Sequence, residues 1–332
     1  MIIPMHTLML FILIFFAALV CGIIIAPICI RFLTRLKCGQ EIRDEGPEWH
    51  KSKSGTPTMG GIIFIVAGTV AALVLNLLIN GNIDLNAVML VFLSVSFGVV
   101  GFVDDFIKVK LKRNLGLTEI QKLLLQIAAS VLFVWVLRNT LINTELIIPF
   151  AGVSVKLGWW YLPLAVLAII STVNAVNLTD GLDGLASSVT LVVTMFFVFV
   201  AYFQNLISIS VFGCAMLGGV AAFLIFNKYP AKVFMGDTGS LFLGGALCGM
   251  AILSGTPLFL IISGGIFVAE ALSVIIQVAS FKLTGKRVFK MAPLHHHYEK
   301  CGFKEEKIVI IFSLISILLS LIAIAGFITY LK

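Results

Sequence analysis

The chain has 332 residues, of which 60% are hydrophobic and 12% are charged, and its formal net charge is +7. A soluble domain of this length cannot bury so many apolar side chains, so the composition excludes a soluble globular protein. Together with a mean hydropathy of +1.12, it predicts an integral membrane protein.

Ten apolar stretches have about the length of a membrane-spanning helix, which needs roughly 20 mostly apolar residues. The predicted spans are 7–32, 59–80, 85–103, 119–139, 159–176, 185–203, 207–226, 239–255, 258–280 and 308–330. We therefore expect an all-α integral membrane protein that forms one polytopic domain over residues 1–332.

Five polar segments lie between alternate pairs of spans, so they are predicted to face one side of the membrane. Together with the adjoining helix ends they carry 20 of the 23 Lys and Arg residues. By the positive-inside rule these segments are cytoplasmic and both termini lie outside. Polar chemistry collected at one face suggests an active site rather than a pore. The segments are about 33–58, 104–118, 177–184, 227–238 and 281–307.

The first cytoplasmic segment ends in Lys53-Ser-Gly-Thr-Pro-Thr-Met-Gly-Gly61, directly before the second span. Glycines, hydroxyls and a lysine at a helix N-terminus are typical of an anion site, because unpaired amides and the helix dipole favour negative charge there. The spacing is not that of a P-loop.

Two adjacent acids, Asp104 and Asp105, stand at the predicted end of the third span. A carboxylate at the bilayer centre costs roughly 2.5 to 3.5 kcal/mol, and less near the interface. The pair therefore either marks the point where the helix leaves the lipid or belongs to a site that holds a cation.

An outside segment, 145–158, alternates apolar and polar residues around a glycine turn. This pattern predicts a small β-hairpin on the outer surface, with an irregular loop as the alternative.

Two further cytoplasmic loops place acids beside glycines. Asp180 and Asp183 are each followed by a glycine, and Asp237 lies in Phe234-Met-Gly-Asp-Thr-Gly-Ser240. One such loop could be a helix cap. Three acidic sites on one side favour a magnesium site, because carboxylate, amide and carbonyl oxygens are hard ligands that suit Mg²⁺ beside a phosphate.

The last cytoplasmic segment contains His295-His296-His297 near several basic residues. A transition-metal site or a purification tag is an alternative, but the basic neighbours favour a phosphate-binding element. Consecutive side chains on a helix diverge by about 100°, so at most two of the histidines can face one ligand. Glu270, inside the ninth span, is either a buried structural group or part of a pathway.

Five ordered motifs resemble those of the bacterial phospho-MurNAc-pentapeptide translocase family, a branch of the polyprenyl-phosphate N-acetylhexosamine-1-phosphate transferase superfamily. The resemblance covers essentially the whole chain. The glycine-rich stretch ending at Gly61 and the uninterrupted histidine run favour this branch over relatives that act on UDP-GlcNAc. The motifs are Lys53–Gly61, Gly101–Asp105, Asn177–Gly184, Phe234–Ser240 and Ala292–His297.

The resemblance implies a ten-span fold, often dimeric, in the bacterial cytoplasmic (inner) membrane, with a cleft facing the cytoplasm. The implied reaction moves phospho-MurNAc-pentapeptide from UDP-MurNAc-pentapeptide to undecaprenyl phosphate with Mg²⁺, which releases UMP and forms lipid I for peptidoglycan synthesis. A homodimer embedded in membrane lipid is expected, and no nucleic-acid partner. A GlcNAc-1-phosphate transferase and a secondary transporter are the alternatives, although a transporter usually keeps its site near the membrane midplane.

The family's catalytic residues can be carried over to matching positions in this chain. Asp237 is implied as the magnesium ligand, and Asp104 and Asp105 as the lipid-phosphate side of the site, with one of them proposed to deprotonate the acceptor. His295 is implied near the diphosphate.

The implied substrate contacts form a second group that surrounds the catalytic residues. They comprise nucleotide and sugar contacts at Asn177, Asp180 and Asp183, uracil and ribose contacts at Asn227 and Phe234, diphosphate contacts at His296 and His297, and further polar contacts at Lys53, Thr58 and Lys122.

Overall fold

The computed structural model describes residues 5–36, 55–82, 84–111, 115–140 and 145–332. These residues form twelve α-helices, two strands and a short 3₁₀ helix, Gly158–Trp160. In chain order the elements are α1 Met5–Arg35, α2 Ile62–Asn80, α3 Leu85–Leu111, α4 Glu119–Thr140, β1 Glu145–Ile148, β2 Val153–Lys156, α5 Tyr161–Thr179, α6 Leu185–Phe203, α7 Ile207–Asn227, α8 Gly236–Leu253, α9 Pro257–Ser263, α10 Gly265–Thr284, α11 Leu294–Lys300 and α12 Glu305–Leu331.

Ten of these helices are long and apolar enough to cross a membrane, which confirms the predicted number of spans. The two exceptions among the described helices are α9 and α11, which have seven residues each. The protein is therefore an all-α, multi-pass membrane protein with one small sheet.

The predicted hairpin is confirmed. Strands β1 and β2 pair antiparallel, with Glu145 opposite Lys156 and Ile148 opposite Val153. The Lys156 ammonium lies 3.4 Å from a carboxylate oxygen of Glu145. The main-chain N–H of Ile147 donates to the carbonyl of Gly255, which fastens the hairpin to the turn between α8 and α9.

The centre of the bundle is formed by α7 and α8, whose side chains are mostly buried by the surrounding helices. Helix α8 packs most extensively against α3 and also along α5, whereas α7 packs against α1, α2 and α6. The outer helices α1, α10 and α12 expose apolar side chains instead, as expected where lipid is the solvent. This arrangement places the start of α8 directly against α3.

The predicted end of the third span at residue 103 is wrong, because α3 continues through Asp104 and Asp105 to Leu111. Lys108 forms an ion pair with Asp104 four residues earlier, a spacing that stabilises helices. The two acids therefore lie within a helix rather than at its end.

The prediction of one continuous ninth helix over 258–280 is also wrong. Helix α9 ends at Ser263, and α10 begins at Gly265 after a break at Gly264, where φ is −88° and ψ is 20°. Two adjacent glycines have low helix propensity because their backbone loses the most conformational freedom on ordering.

Candidate active site

Three carboxylates meet where α3 passes the start of α8. Oxygen atoms of Asp104, Asp105 and Asp237 all lie within 4.8 Å of one another. Asp104 and Asp105 are nearly buried, with side chains 4% exposed, whereas Asp237 is 17% exposed. The cluster has the composition of a site that holds a cation, because hard oxygen donors gathered this closely repel one another without one.

A close backbone contact brings the three acids together. A Cβ at Gly101 of α3 would collide with the main-chain carbonyl of Asp237 and would lie 2.6 Å from the nitrogen of Thr238. Only glycine permits this approach between the backbones of α3 and α8. The next helical turn of α3 then places Asp104 and Asp105 beside the first turn of α8.

Hydrogen bonds orient the two α3 acids. One carboxylate oxygen of Asp105 accepts from the main-chain N–H of Thr238 at 2.9 Å and from its hydroxyl at 2.7 Å. Asp104 accepts from the main-chain N–H of Leu117 at 2.8 Å. Asp105 is thus turned into the N-terminus of α8, where the helix dipole favours negative charge.

Two lysines offset part of the negative charge of the three carboxylates. The ammonium of Lys108 lies 2.6 Å from Asp104, 3.0 Å from Asp237 and 3.7 Å from Asp105. The ammonium of Lys122, on α4, lies 2.7 Å from the same oxygen of Asp237. Lys122 was predicted as a site residue, but Lys108 was not. Lys108 lies four residues after Asp104, a spacing that indicates an ion pair only within a helix. Because the predicted third span ended at residue 103, this signal was missed.

Asn177 completes the environment of Asp237. Its side-chain nitrogen donates to the second carboxylate oxygen of Asp237 and to the hydroxyl of Ser240, both at 2.8 Å. The structure therefore joins the predicted residue Asn177 to the acid cluster. Ser240 has no comparable sequence signal, because its partner lies 63 positions away.

The loop between α5 and α6 brings a fourth acid toward the cluster. Asp180 is partly buried, and burial followed by the negative charges of Asp237 and Asp105 raises its pKa well above the ordinary value. Burial and the neighbouring acids therefore favour the protonated, uncharged form of Asp180.

Two other predicted residues hold the loops in place. Asp183 accepts from the main-chain N–H of Ala231 at 2.9 Å. Asn227 is 2% exposed, and it accepts from the main-chain N–H of Gly184 and donates to the carbonyl of Val233 at 3.0 Å. These bonds tie the α5–α6 loop to the α7–α8 loop. The nucleotide contacts predicted for Asp183 and Asn227 are a separate matter and stay a prediction.

The segment before α2 lies against the same loop. Phe234, which is half-buried, donates its main-chain N–H to Pro57 and accepts from Gly60, both at 2.8 Å. The buried Thr58 hydroxyl lies beside Gly236 at the start of α8. Thr58 is therefore at the site, whereas the predicted contact Lys53 lies outside the described residues.

The three histidines of α11 face three different partners. His295 is buried against Glu270 of α10, His296 lies 2.7 Å from Glu299, and His297 accepts from the main-chain N–H of Lys290. The rings of His295 and His296 are neighbours, with centroids 4.2 Å apart. The expectation that no more than two of them can face one ligand stays a prediction. Glu299, three residues after His296, was not predicted.

Comparison with known proteins identifies the class of protein. A family profile described as glycosyl transferase family 4 matches residues 87–255, about half of the chain, and includes the acid cluster. A shorter profile, phospho-N-acetylmuramoyl-pentapeptide-transferase signature 1, matches residues 53–65. The fold and the site are therefore those of a polytopic membrane glycosyl transferase.

Individual relatives define the family more narrowly, and each is called a phospho-N-acetylmuramoyl-pentapeptide-transferase. The protein of Alkaliphilus metalliredigens is 50% identical over 90% of this chain and 93% of its own length. That of Acetivibrio thermocellus is 49% identical over 91% and 90%. That of Halalkalibacterium halodurans is 47% identical over 91% and 93%. The chain belongs to the phospho-N-acetylmuramoyl-pentapeptide-transferase family.

Proposed function

We propose that the chain transfers phospho-MurNAc-pentapeptide from UDP-MurNAc-pentapeptide to undecaprenyl phosphate, producing lipid I and UMP. The observation that carries this proposal is the cluster of Asp104, Asp105 and Asp237 around two lysines at one end of the helix bundle. Phosphoryl transfer asks a protein mainly to position two phosphates and to neutralise their charge, and this cluster has both capacities.

The family match favours the MurNAc-pentapeptide donor over UDP-GlcNAc. We therefore expect the purified protein to turn over UDP-MurNAc-pentapeptide at least about 100-fold faster than UDP-GlcNAc, because a site built for polar substrate groups rejects analogues that lack them. Equal turnover of the two donors, measured by release of UMP, would favour the alternative transferase.

The acid cluster fits a divalent cation, and Mg²⁺ is the ion that we propose. Carboxylate oxygens from two helices gathered beside an amide and a hydroxyl form the hard donor set that Mg²⁺ prefers. Asp237 would be the principal ligand because it is the most exposed of the three carboxylates. Bound there, Mg²⁺ would neutralise charge that develops on the diphosphate oxygens.

Lysine side chains of the protein can stabilise the negative charge of the acceptor phosphate. A phosphate monoester is already largely anionic near pH 7, since its second pKa is about 6, so it needs little help from a general base. What it needs is positive charge, which Lys108 and Lys122 provide beside the acids. We therefore favour direct attack of the lipid phosphate on the β-phosphate of the donor.

A two-step route through an aspartyl-phosphate on Asp104 or Asp105 is the alternative. The hydrogen bonds from Thr238 hold Asp105 against α8, which leaves Asp104 as the better-placed nucleophile for that route. Incubation with the UDP donor in the absence of lipid separates the two routes. A phosphorylated protein recovered under these conditions would exclude direct attack.

We further propose that the protein lies in the bacterial cytoplasmic membrane with the acid cluster facing the cytoplasm. The excess of Lys and Arg in the five polar segments supports this orientation. A homodimer stays a prediction based on family resemblance. A transporter is disfavoured because Glu270 contacts His295 of the last polar segment instead of standing alone in the bundle.

A further inference from the structure

A buried contact between a carboxylate and an imidazole joins α10 to the short helix α11. One carboxylate oxygen of Glu270 lies 3.2 Å from the Nδ1 atom of His295 and accepts a hydrogen bond from the main-chain nitrogen of the same residue at 3.2 Å. The side chains of Glu270 and His295 are 0% and 1% exposed. Glu270 therefore holds the backbone of His295 by a hydrogen bond and places its carboxylate beside the imidazole.

This contact replaces a missing helix cap. The residue before α11 is Pro293, and it makes no side-chain hydrogen bond to the helix. The first amides of a helix have no acceptor within the helix, and an acid near them is stabilising. Glu270 supplies that acceptor from a neighbouring helix, so the position of α11 depends on it.

The opposite edge of the imidazole faces the loop between α5 and α6. The Nε2 atom of His295 lies so close to Gly181 that a Cβ at this glycine would collide with it. His295 therefore contacts Glu270 of α10 on one side and Gly181, in the loop that carries Asp180, on the other. A side chain at position 181 would push the imidazole back toward Glu270.

The pair is not optimised for stability. The second carboxylate oxygen of Glu270 and both ring nitrogens of His295 are buried, and none of them has a hydrogen-bond partner among the described residues. Buried polar atoms without partners cost free energy that an apolar pair would not. Natural proteins retain buried polar atoms without partners mainly at functional sites.

We propose that Glu270 is a positioning residue for the transfer reaction: it fixes His295, and with it α11, against Gly181 of the substrate loop. This inference rests on the proposed function. Glu270 does not touch the acid cluster in the described contacts, and it acts through His295. Its removal should slow the reacting step more than it weakens donor binding.

The first experiment measures kcat and the KM for UDP-MurNAc-pentapeptide in Glu270→Ala and Glu270→Gln. Loss of an orienting partner typically costs about 10-fold to 100-fold in activity, and we expect this in kcat for Glu270→Ala with KM changed less than about threefold. Glu270→Gln should retain more activity, because its amide oxygen can still accept from His295. Ser273→Ala is the matched control, since Ser273 is also buried on α10 and its hydroxyl donates to the main-chain carbonyl of Glu270.

Glu270→Ala with kcat within about twofold of the parent would overturn the proposal, as would a loss confined to KM. A parent protein that releases no UMP would instead refute the proposed function, so a second experiment needs no turnover. Gly181→Ala should lower the apparent unfolding temperature in the parent but have little effect in His295→Ala, where the added methyl group has room. Equal effects in both backgrounds would show that His295 does not occupy this contact.

Discussion

The side-chain nitrogen of Lys108 lies 3.0 Å from Oδ2 of Asp237, although 129 positions separate the two residues in the chain. The same nitrogen pairs with Asp104 at 2.6 Å, so a single ammonium joins α3 to the start of α8. Three carboxylates crowded together need positive charge, and Lys108 supplies it from within the cluster.

Replacing Lys108 tests this role. In Lys108→Ala the three carboxylates lose their shared cation and the acceptor phosphate loses a positive neighbour. We expect kcat to fall about 100-fold or more, as for the loss of a donor at a reacting centre. Lys110→Ala is the control, because Lys110 is exposed on the same helix and its ammonium lies over the Phe106 ring instead. Equal activity of the two variants would remove Lys108 from the site.

Asn177 tests the electrostatics around Asp237. Asn177→Ala removes two donated hydrogen bonds, whereas Asn177→Asp also places a carboxylate against Asp237 at a 2.8 Å contact. Like charges at this distance repel strongly, so Asn177→Asp should be about tenfold less active than Asn177→Ala in UMP release. If the aspartate variant is the more active of the two, repulsion at Asp237 does not limit the reaction.

Gly101 tests the close approach of α3 and α8. The methyl group of Gly101→Ala would meet the backbone of Asp237, and overpacking of this kind costs about 1 to 3 kcal/mol. We expect a lower apparent unfolding temperature in detergent together with reduced activity, because the acids are moved apart. Gly98→Ala, one turn earlier, meets a Phe242 side-chain carbon at 3.3 Å and should be milder. A Gly101→Ala protein with unchanged stability would contradict the packing.

Cys301 tests the orientation of the protein. It is exposed at the end of α11, on the side of the histidines. A membrane-impermeant maleimide should label it in inside-out vesicles and leave it unlabelled in right-side-out vesicles. Cys301→Ser is the control. If the maleimide label is lost in this variant, the label was attached to Cys301 and not to another cysteine. Labelling from the outside alone would invert the proposed topology.

The sequence was sufficient for the number of spans and for the hairpin, because apolar length and alternation are local signals. It was not sufficient for the end of α3. Acids are expected to mark the exit from lipid, but Asp104 and Asp105 find a lysine and the N-terminus of α8 within the protein. Tertiary contacts decided that boundary.

The site was partly predictable from composition and spacing. Asp104, Asp105 and Asp237 were each conspicuous because each is an acid beside a span. Their meeting was not predictable from one sequence, since it depends on a close contact at Gly101 between helices far apart in the chain. The contact between Glu270 and His295 was not predictable either, because the two residues lie 25 positions apart in the chain.

The most direct test of the transfer activity is UMP release by the purified protein in a reaction from which single components are omitted. We expect UMP only when UDP-MurNAc-pentapeptide, polyprenyl phosphate and Mg²⁺ are all present, and none from Asp237→Asn under the same conditions. The proposed transfer would be contradicted by UMP release that persists without the polyprenyl phosphate or without Mg²⁺. It would also be contradicted by an Asp237→Asn variant with the parent's rate and magnesium dependence.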